Sequence, residues 1–155
     1  MNESAKTLET SPLALPNRTN ALSMPDEALQ VALVAAHTAD DRKAANIRVV
    51  QVTAVSYLAD YFVVASGFSP VQVKAIARAI EAAVQEHCDR SVLRQEGLAE
   101  GRWVLQDYGD VVVHLFMPQE REYYNLEAFW GHGQALDWQG QIPQANGLIE
   151  HPELA

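Results

Sequence analysis

The sequence predicts an α/β (α+β) domain, a mixed sheet of about five strands flanked by helices. Three observations carry that prediction. Val73, Ile76, Ala77, Ile80 and Val84 recur at spacings of three and four, the pattern of a helix with one apolar face. The runs Ile47–Val52, Tyr61–Ala65 and Val111–Met117 are β-branched and apolar, as strands are. Helical and extended segments follow one another as helix, two strands, helix, two or three strands, helix.

The first helix is expected after Ser23, placed as its cap, with Asp26 three residues on and Pro25, Asp26 and Glu27 suited to a first turn. Leu29, Leu33 and Ala36 then share a face that Ala32 widens, and Asp40 and Asp41 mark the end. Ile47–Val52 reads as a strand, and a connection through Thr53 to Asp60 leads to Tyr61–Ala65. That continuous apolar run predicts an interior strand covered on both faces. Ser66-Gly67-Phe68 is a turn, and Ser69 and Pro70 open the second helix as N-cap and first helical residue. On that helix Lys74, Arg78, Glu81 and Gln85 line a solvated side where Lys74 and Arg78 are available for contacts. Val92–Gln95 is a short strand. Trp103–Asp107 and Val111–Met117 form a hairpin around a two-residue turn at Tyr108-Gly109, with Gly109 supplying a positive φ. After Pro118 a short helix is expected over Glu120–Trp130.

The 155 residues suit one domain, expected over residues 25–136. Residues 1–24, with Pro12, Pro16 and many Ser, Thr and Asn, read as a disordered extension. Residues 137–155, with Gly140, Pro143, Gly147 and Pro152, read as a flexible tail. No apolar stretch approaches the roughly 18 residues a membrane span needs. The start of the chain lacks the basic and apolar blocks of a secretory signal, and Glu3 and Glu9 offset Lys6 and Arg18, so a cytoplasmic location is expected. A formal net charge of −9 argues against binding bare nucleic acid and favours a basic protein partner with salt-sensitive association. The single cysteine, Cys88, excludes an intramolecular disulfide and a thiolate-rich metal site, and reads as a small core hydrophobe.

Catalytic chemistry finds little footing. His37, His87, His114, His132 and His151 lie far apart with no metal-ligand spacing, and His114 on a strand reads as a half-buried structural residue. Ser66-Gly67 lacks the glycine-flanked nucleophile elbow of hydrolases. One enzyme alternative is a nucleotide-dependent transferase, with phosphate at the helix start after Gly67-Phe68-Ser69 and magnesium on Asp107 and Asp110. Those two aspartates stand at opposite ends of a tight turn, and no glycine-rich phosphate loop is present. No catalytic residue, metal or cofactor is therefore expected. Binding has more behind it: Trp103, Tyr108, Phe116, Tyr123, Tyr124, Phe129 and Trp130 crowd one stretch. Tyr123 and Tyr124 cannot both face one core, because neighbours on a helix point about 100° apart. Exposed Trp, Tyr, Met and Arg make interface anchors, and Met117, Arg121 and Asp107 lie among these aromatics.

Four stretches, in order, resemble the ribosomal silencing factor family, also called Iojap-related proteins. They are Leu58–Gly67 (LADYFVVASG), Val71–Ala77 (VQVKAIA), Gly101–Phe116 (GRWVLQDYGDVVVHLF) and Arg121–Trp130 (REYYNLEAFW). The likeness spans about Asp26 to Gly133; Gln106 stands where an apolar residue is more usual, and Phe129 where Leu is common. The resemblance implies a fold like that of nucleotidyltransferases without their catalytic acids. It also implies a translation repressor without enzymatic activity. Such a protein binds the large ribosomal subunit through ribosomal protein number fourteen and blocks association with the small subunit when nutrients run short. Carried over by position, the implied contacts are Trp103, Leu105, Asp107, Tyr108 and Met117, followed by Arg121, Tyr123 and Tyr124. The same aromatic surface would also serve a homodimer of the free protein.

Overall fold

Two long helices lie on one face of a mixed sheet, and a short helix and a 3-10 turn pack against part of the other. The computed structural model of the protein describes residues 26–52, 59–130 and 133–144. Ser23, the connection 53–58, His132, and both ends of the chain (1–25 and 145–155) lie outside the described residues, as do the side chains of Phe129 and Trp130. The elements are α1 (Glu27–Asp41), β1 (Ala45–Gln51), β2 (Tyr61–Ser66), α2 (Pro70–Cys88), β3 (Arg94–Glu96), β4 (Trp103–Asp107), β5 (Val111–Phe116) and α3 (Pro118–Tyr124). A 3-10 turn over Leu126–Trp130, the short strand β6 (Gln134–Ala135) and a second 3-10 turn over Trp138–Gly140 follow α3 among the described residues. The sheet has six strands in the order β3-β4-β5-β2-β1-β6, one more than expected. Among the described residues only β2 and β5 pair in parallel, Tyr61 opposite Val111 through Ser66 opposite Phe116. The remaining ladders are antiparallel, so the sheet is mixed.

Each helix start has a local cause. Asp26 caps α1, its Oδ1 accepting from Ala28 N at 3.0 Å and Leu29 N at 3.4 Å. The cap is therefore Asp26; the Ser23 expected in that role lies outside the described residues. Ser69 Oγ accepts from Gln72 N at 3.1 Å, and Pro70 follows as first helical residue, as expected for α2. The five periodic residues of α2, Val73 to Val84, are all fully buried. On α1 the buried set is wider than the sequence face: Val31, Val34 and Ala35 join Ala32, Leu33 and Ala36. The helix is covered by the sheet, by α2 and by the segment after β6. These residues form one core with Val63, Ala65, Val104, Val111, Val113 and Leu115 from the sheet.

Three boundaries differ from expectation. The helix predicted over Glu120–Trp130 is divided, because Asn125 adopts a left-handed conformation (φ 47°) that ends α3 and starts the 3-10 turn. The turn between β4 and β5 centres on Gly109 and Asp110 rather than on Tyr108-Gly109. Tyr108 N already donates to Val111 O at 2.8 Å, and Gly109 takes φ +95°. Finally, residues beyond the expected limit at Leu136 pack against the domain. Trp138 is buried, its Nε1 donates to Ile47 O at 3.2 Å, and His37 Nε2 lies 3.1 Å from Trp138 O and 2.8 Å from Gln141 O. Gln144 N donates to Gln30 Oε1. This strap covers the outer edge of β1, where unpaired backbone groups would otherwise invite another strand.

Candidate partner-binding face

Strand alternation decides which side chains reach the open face. In β4, Val104 and Gln106 point to the helices; Gln106 Nε2 donates to Ala77 O and to Gln95 Oε1, both at 2.8 Å. Trp103, Leu105 and Asp107 therefore project from the opposite face, partly exposed. In β5 the same parity sends Val112, His114 and Phe116 to the open face. Phe62 of β2 joins them, packed with Val112 beside a small second core of Val50, Val52 and Ala59.

The result is an aromatic patch flanked by α3, in which His114 and Phe116 are buried and Trp103 is half-buried. The Trp103 ring lies 4.8 Å from Phe116, 6.1 Å from His114 and 4.7 Å from Tyr124 of α3. Phe62 meets His114 edge-on at 5.5 Å. Trp103 Nε1 donates to His114 Nδ1 at 3.2 Å, so that nitrogen carries a lone pair. His114 is buried, and burial pushes its pKa down to about 4. The imidazole is thus neutral at physiological pH, which the hydrogen bond from Trp103 requires.

A polar lock fixes the edge of this patch. Arg121 Nε and Nη2 each donate to Glu127 at 3.0 Å, and its Nη1 donates to Ser66 Oγ at 2.9 Å. Glu127 Oε2 accepts also from Arg48 Nη1 at 2.9 Å. The hydrogen bond and charge of Arg121, then those of Arg48, hold the Glu127 carboxyl below the usual carboxylate range. The lock ties α3 and the following 3-10 turn to β1 and β2, and so holds Tyr124 against Trp103.

The eight expected contact residues separate on this frame. Trp103, Leu105 and Asp107 share the open face, and Tyr123 (82% exposed) and Tyr124 (46%) stand beside it on α3. Tyr123 meets Tyr124 edge-on, with ring centroids 5.0 Å apart. Met117 is half-buried and packs against the helix-side core at the start of α3. Arg121 is largely enclosed, its side chain 12% exposed and all three nitrogens engaged, so it holds the face together instead of meeting a partner. Tyr108 is a correction: at 2% exposure it belongs to the helix-side core and cannot offer its ring to a partner. The signal was present, since alternation from Trp103 groups residue 108 with Val104 and Gln106. Arg48, Ser66 and Glu127 escaped the sequence reading because their partnership spans as many as 79 residues with no local period.

The alternative acidic pair is occupied otherwise. Asp107 Oδ1 accepts from Gly109 N at 2.8 Å, which shapes the turn, while Asp110 Oδ1 pairs with Arg90 Nη2 at 2.6 Å. Among the described residues no three His, Cys, Asp or Glu side chains are grouped to hold a metal ion, and no helix is long and apolar enough to cross a membrane.

Comparison with known proteins places the chain among related sequences and folds. Residues 25–153 match the family described as ribosomal silencing factor during starvation. The chain is 45% identical over 104 residues to ribosomal silencing factor RsfS of Bacillus subtilis, covering 67% of this chain and 87% of that one. To the Halalkalibacterium halodurans protein of the same name it is 41% identical over 116 residues, covering 75% and 96%. A crystal structure of a Chromobacterium violaceum protein superposes with a TM-score of 0.65 at 31% identity, covering 81% of this chain and 96% of that one.

Proposed function

The chain belongs to the ribosomal silencing factor family, associated with the ribosome and with repression of translation, and from that premise we propose how it acts. It docks on the large ribosomal subunit at ribosomal protein number fourteen through Trp103, Leu105, Asp107, Tyr123 and Tyr124, and its bulk obstructs joining of the small subunit. It does so without catalysis. The observation that supports this reading is the aromatic patch itself: an indole between Phe116 and Tyr124, half-buried beside the exposed ring of Tyr123. Such preassembled aromatic anchors supply most of the energy of an interface, and a block on joining needs only occupancy.

Co-sedimentation of the protein with separated large subunits, small subunits and joined ribosomes tests it. Binding to large subunits alone, with fewer joined ribosomes once small subunits are added, is the expected result. Trp103→Ala should weaken that binding by about 2 kcal/mol or more. Retention of parental affinity in the variant would remove Trp103 as an anchor, and absence of large-subunit binding by the parent would remove the mechanism.

A further inference from the structure

The basic side chains of the described residues fall into two groups. Arg48, Arg90, Arg94, Arg102 and Arg121 each lie within 4 Å of a carboxylate. Arg42, Lys43, Lys74 and Arg78 make no ion pair among the described residues. These four gather at one end of the molecule, around the first turns of α2. Gln72 Nε2 donates to the carbonyls of Arg42 (3.4 Å) and Lys43 (3.2 Å), which ties the α1–β1 corner to one flank of the helix. Lys74 lies on the other flank with its stem along Gly101; a Cβ there would stand 3.0 Å from Lys74 Cε. Between the flanks run Phe68 (64% exposed), Val71 (76%), Ala75 and Arg78, an open stripe that climbs the helix.

A chain of net charge −9 thus carries one pole where four cations make no ion pair among the described residues, along the first turns of a 19-residue helix and beside an exposed aromatic ring. Phosphates with unstacked bases match that chemistry, the charges meeting the backbone and the ring meeting a base. We propose that this pole takes a looped or single-stranded segment of RNA, with phosphates at Lys74 and Arg78 and a base against Phe68. Asp40 and Asp41, exposed in the last turn of α1 beside Arg42, oppose phosphate on that flank, and Glu81, one turn after Arg78, and the exposed Glu100 beside Gly101 reduce the attraction that Lys74 and Arg78 supply. Gly101 and Arg102 join the Lys74 flank to Trp103, so the pole borders the aromatic face. The inference rests on the ribosome-docking reading in one respect: a protein seated on a ribosomal protein is surrounded by ribosomal RNA, which makes RNA the polyanion it meets. Acidity of the whole chain argues against binding bare nucleic acid tightly, and the pole supplies a second, auxiliary contact instead.

Two titrations test this on the full chain, with thermal melting as a check on folding. In the first, a short fluorescent single-stranded RNA is titrated at low salt. Lys74→Ala/Arg78→Ala should bind about tenfold more weakly, and the slope of log affinity against log salt should flatten by about 1.4, two single-strand phosphates' worth. Phe68→Ala should weaken binding with the slope retained. Arg94→Ala, whose charge already faces Glu96 and Asp107, should bind like the parent. Equal binding by the parent and the double variant, or no binding by the parent, overturns the proposal. The second titration compares whole large subunits with isolated ribosomal protein number fourteen. A loss confined to whole subunits supports RNA as the occupant, whereas an equal loss on the isolated protein assigns the pole to protein and overturns it. If the parent binds RNA but no large subunit, the docking reading alone fails.

Discussion

Tyr108 and Trp103 occupy one β-hairpin, yet the pleat sends them to opposite sides of the sheet and to different roles. Tyr108 is buried with its hydroxyl unpartnered among the described residues, and burial, with Glu81 nearby, raises its pKa. An unmet buried hydroxyl costs about 1–3 kcal/mol. Tyr108→Phe should therefore leave large-subunit affinity unchanged and hold or raise the urea midpoint; a loss of affinity would return residue 108 to the interface. His114 makes a second prediction. Its folded pKa of about 4 lies below the ordinary value of 6.5, so the folded state resists protonation. Its contribution is fully present above pH 6.5 and is lost as pH falls toward 4, where only the unfolded chain takes up the proton. The slope across that window should be about 1.4 kcal/mol per pH unit from this one group. His114→Gln, which keeps an acceptor for the Trp103 indole, should flatten the dependence of the urea midpoint between pH 6.5 and 4.5. An unchanged profile would show that other groups set it.

At the scale of elements, the question is what holds a seven-residue helix with no buried residue of its own. The answer is the Arg121–Glu127 pair, placed so that both ends of the Asn125 break are fastened to Ser66 of β2 and Arg48 of β1. The guanidinium and carboxylate are 12% and 21% exposed, enough enclosure for the pair to count beyond an ordinary surface bridge. A double-mutant cycle with Arg121→Ala and Glu127→Ala should give a coupling of about 1–2 kcal/mol in stability. Arg121→Lys, which keeps the charge and loses the fork, should recover little of it. Both single variants should also weaken large-subunit binding although neither side chain is a contact, because Tyr124 is no longer held on Trp103. Additive effects, with a coupling near zero, would show that α3 is placed by packing alone.

For the whole molecule, charge and architecture act together. The two long helices sit on one side of the sheet, and the Trp103 patch lies on the other. In the proposed mechanism, the net charge of −9 steers the approach to a basic protein partner from a distance. The association rate constant for isolated ribosomal protein number fourteen should fall several-fold as salt rises from about 50 to about 500 mM, with a much smaller change in dissociation. Stopped-flow mixing separates the two; a salt effect confined to dissociation would place the charges inside the contact.

The α2 core face, the Ser69–Pro70 cap, the interior strand β2 and the hairpin strands β4 and β5 were all legible, because each is dictated by periodicity or by a cap within a few residues. The exposure of Tyr123 was legible for the same reason, since two adjacent tyrosines on a short helix cannot share one core. Trp138 was not: its place follows from His37 and Ile47, about a hundred residues earlier, and nothing near it in sequence has a period. Nor was the engagement of Arg121, which looks like any surface arginine until Ser66 and Glu127 converge on it. By itself the sequence determined the elements, the family and the aromatic stretch, because those reside in local order along the chain. Tertiary structure alone decided which aromatics are open, which arginine is spent inside and where the unpaired cations gather, because each depends on parity across a sheet or on contacts between distant segments.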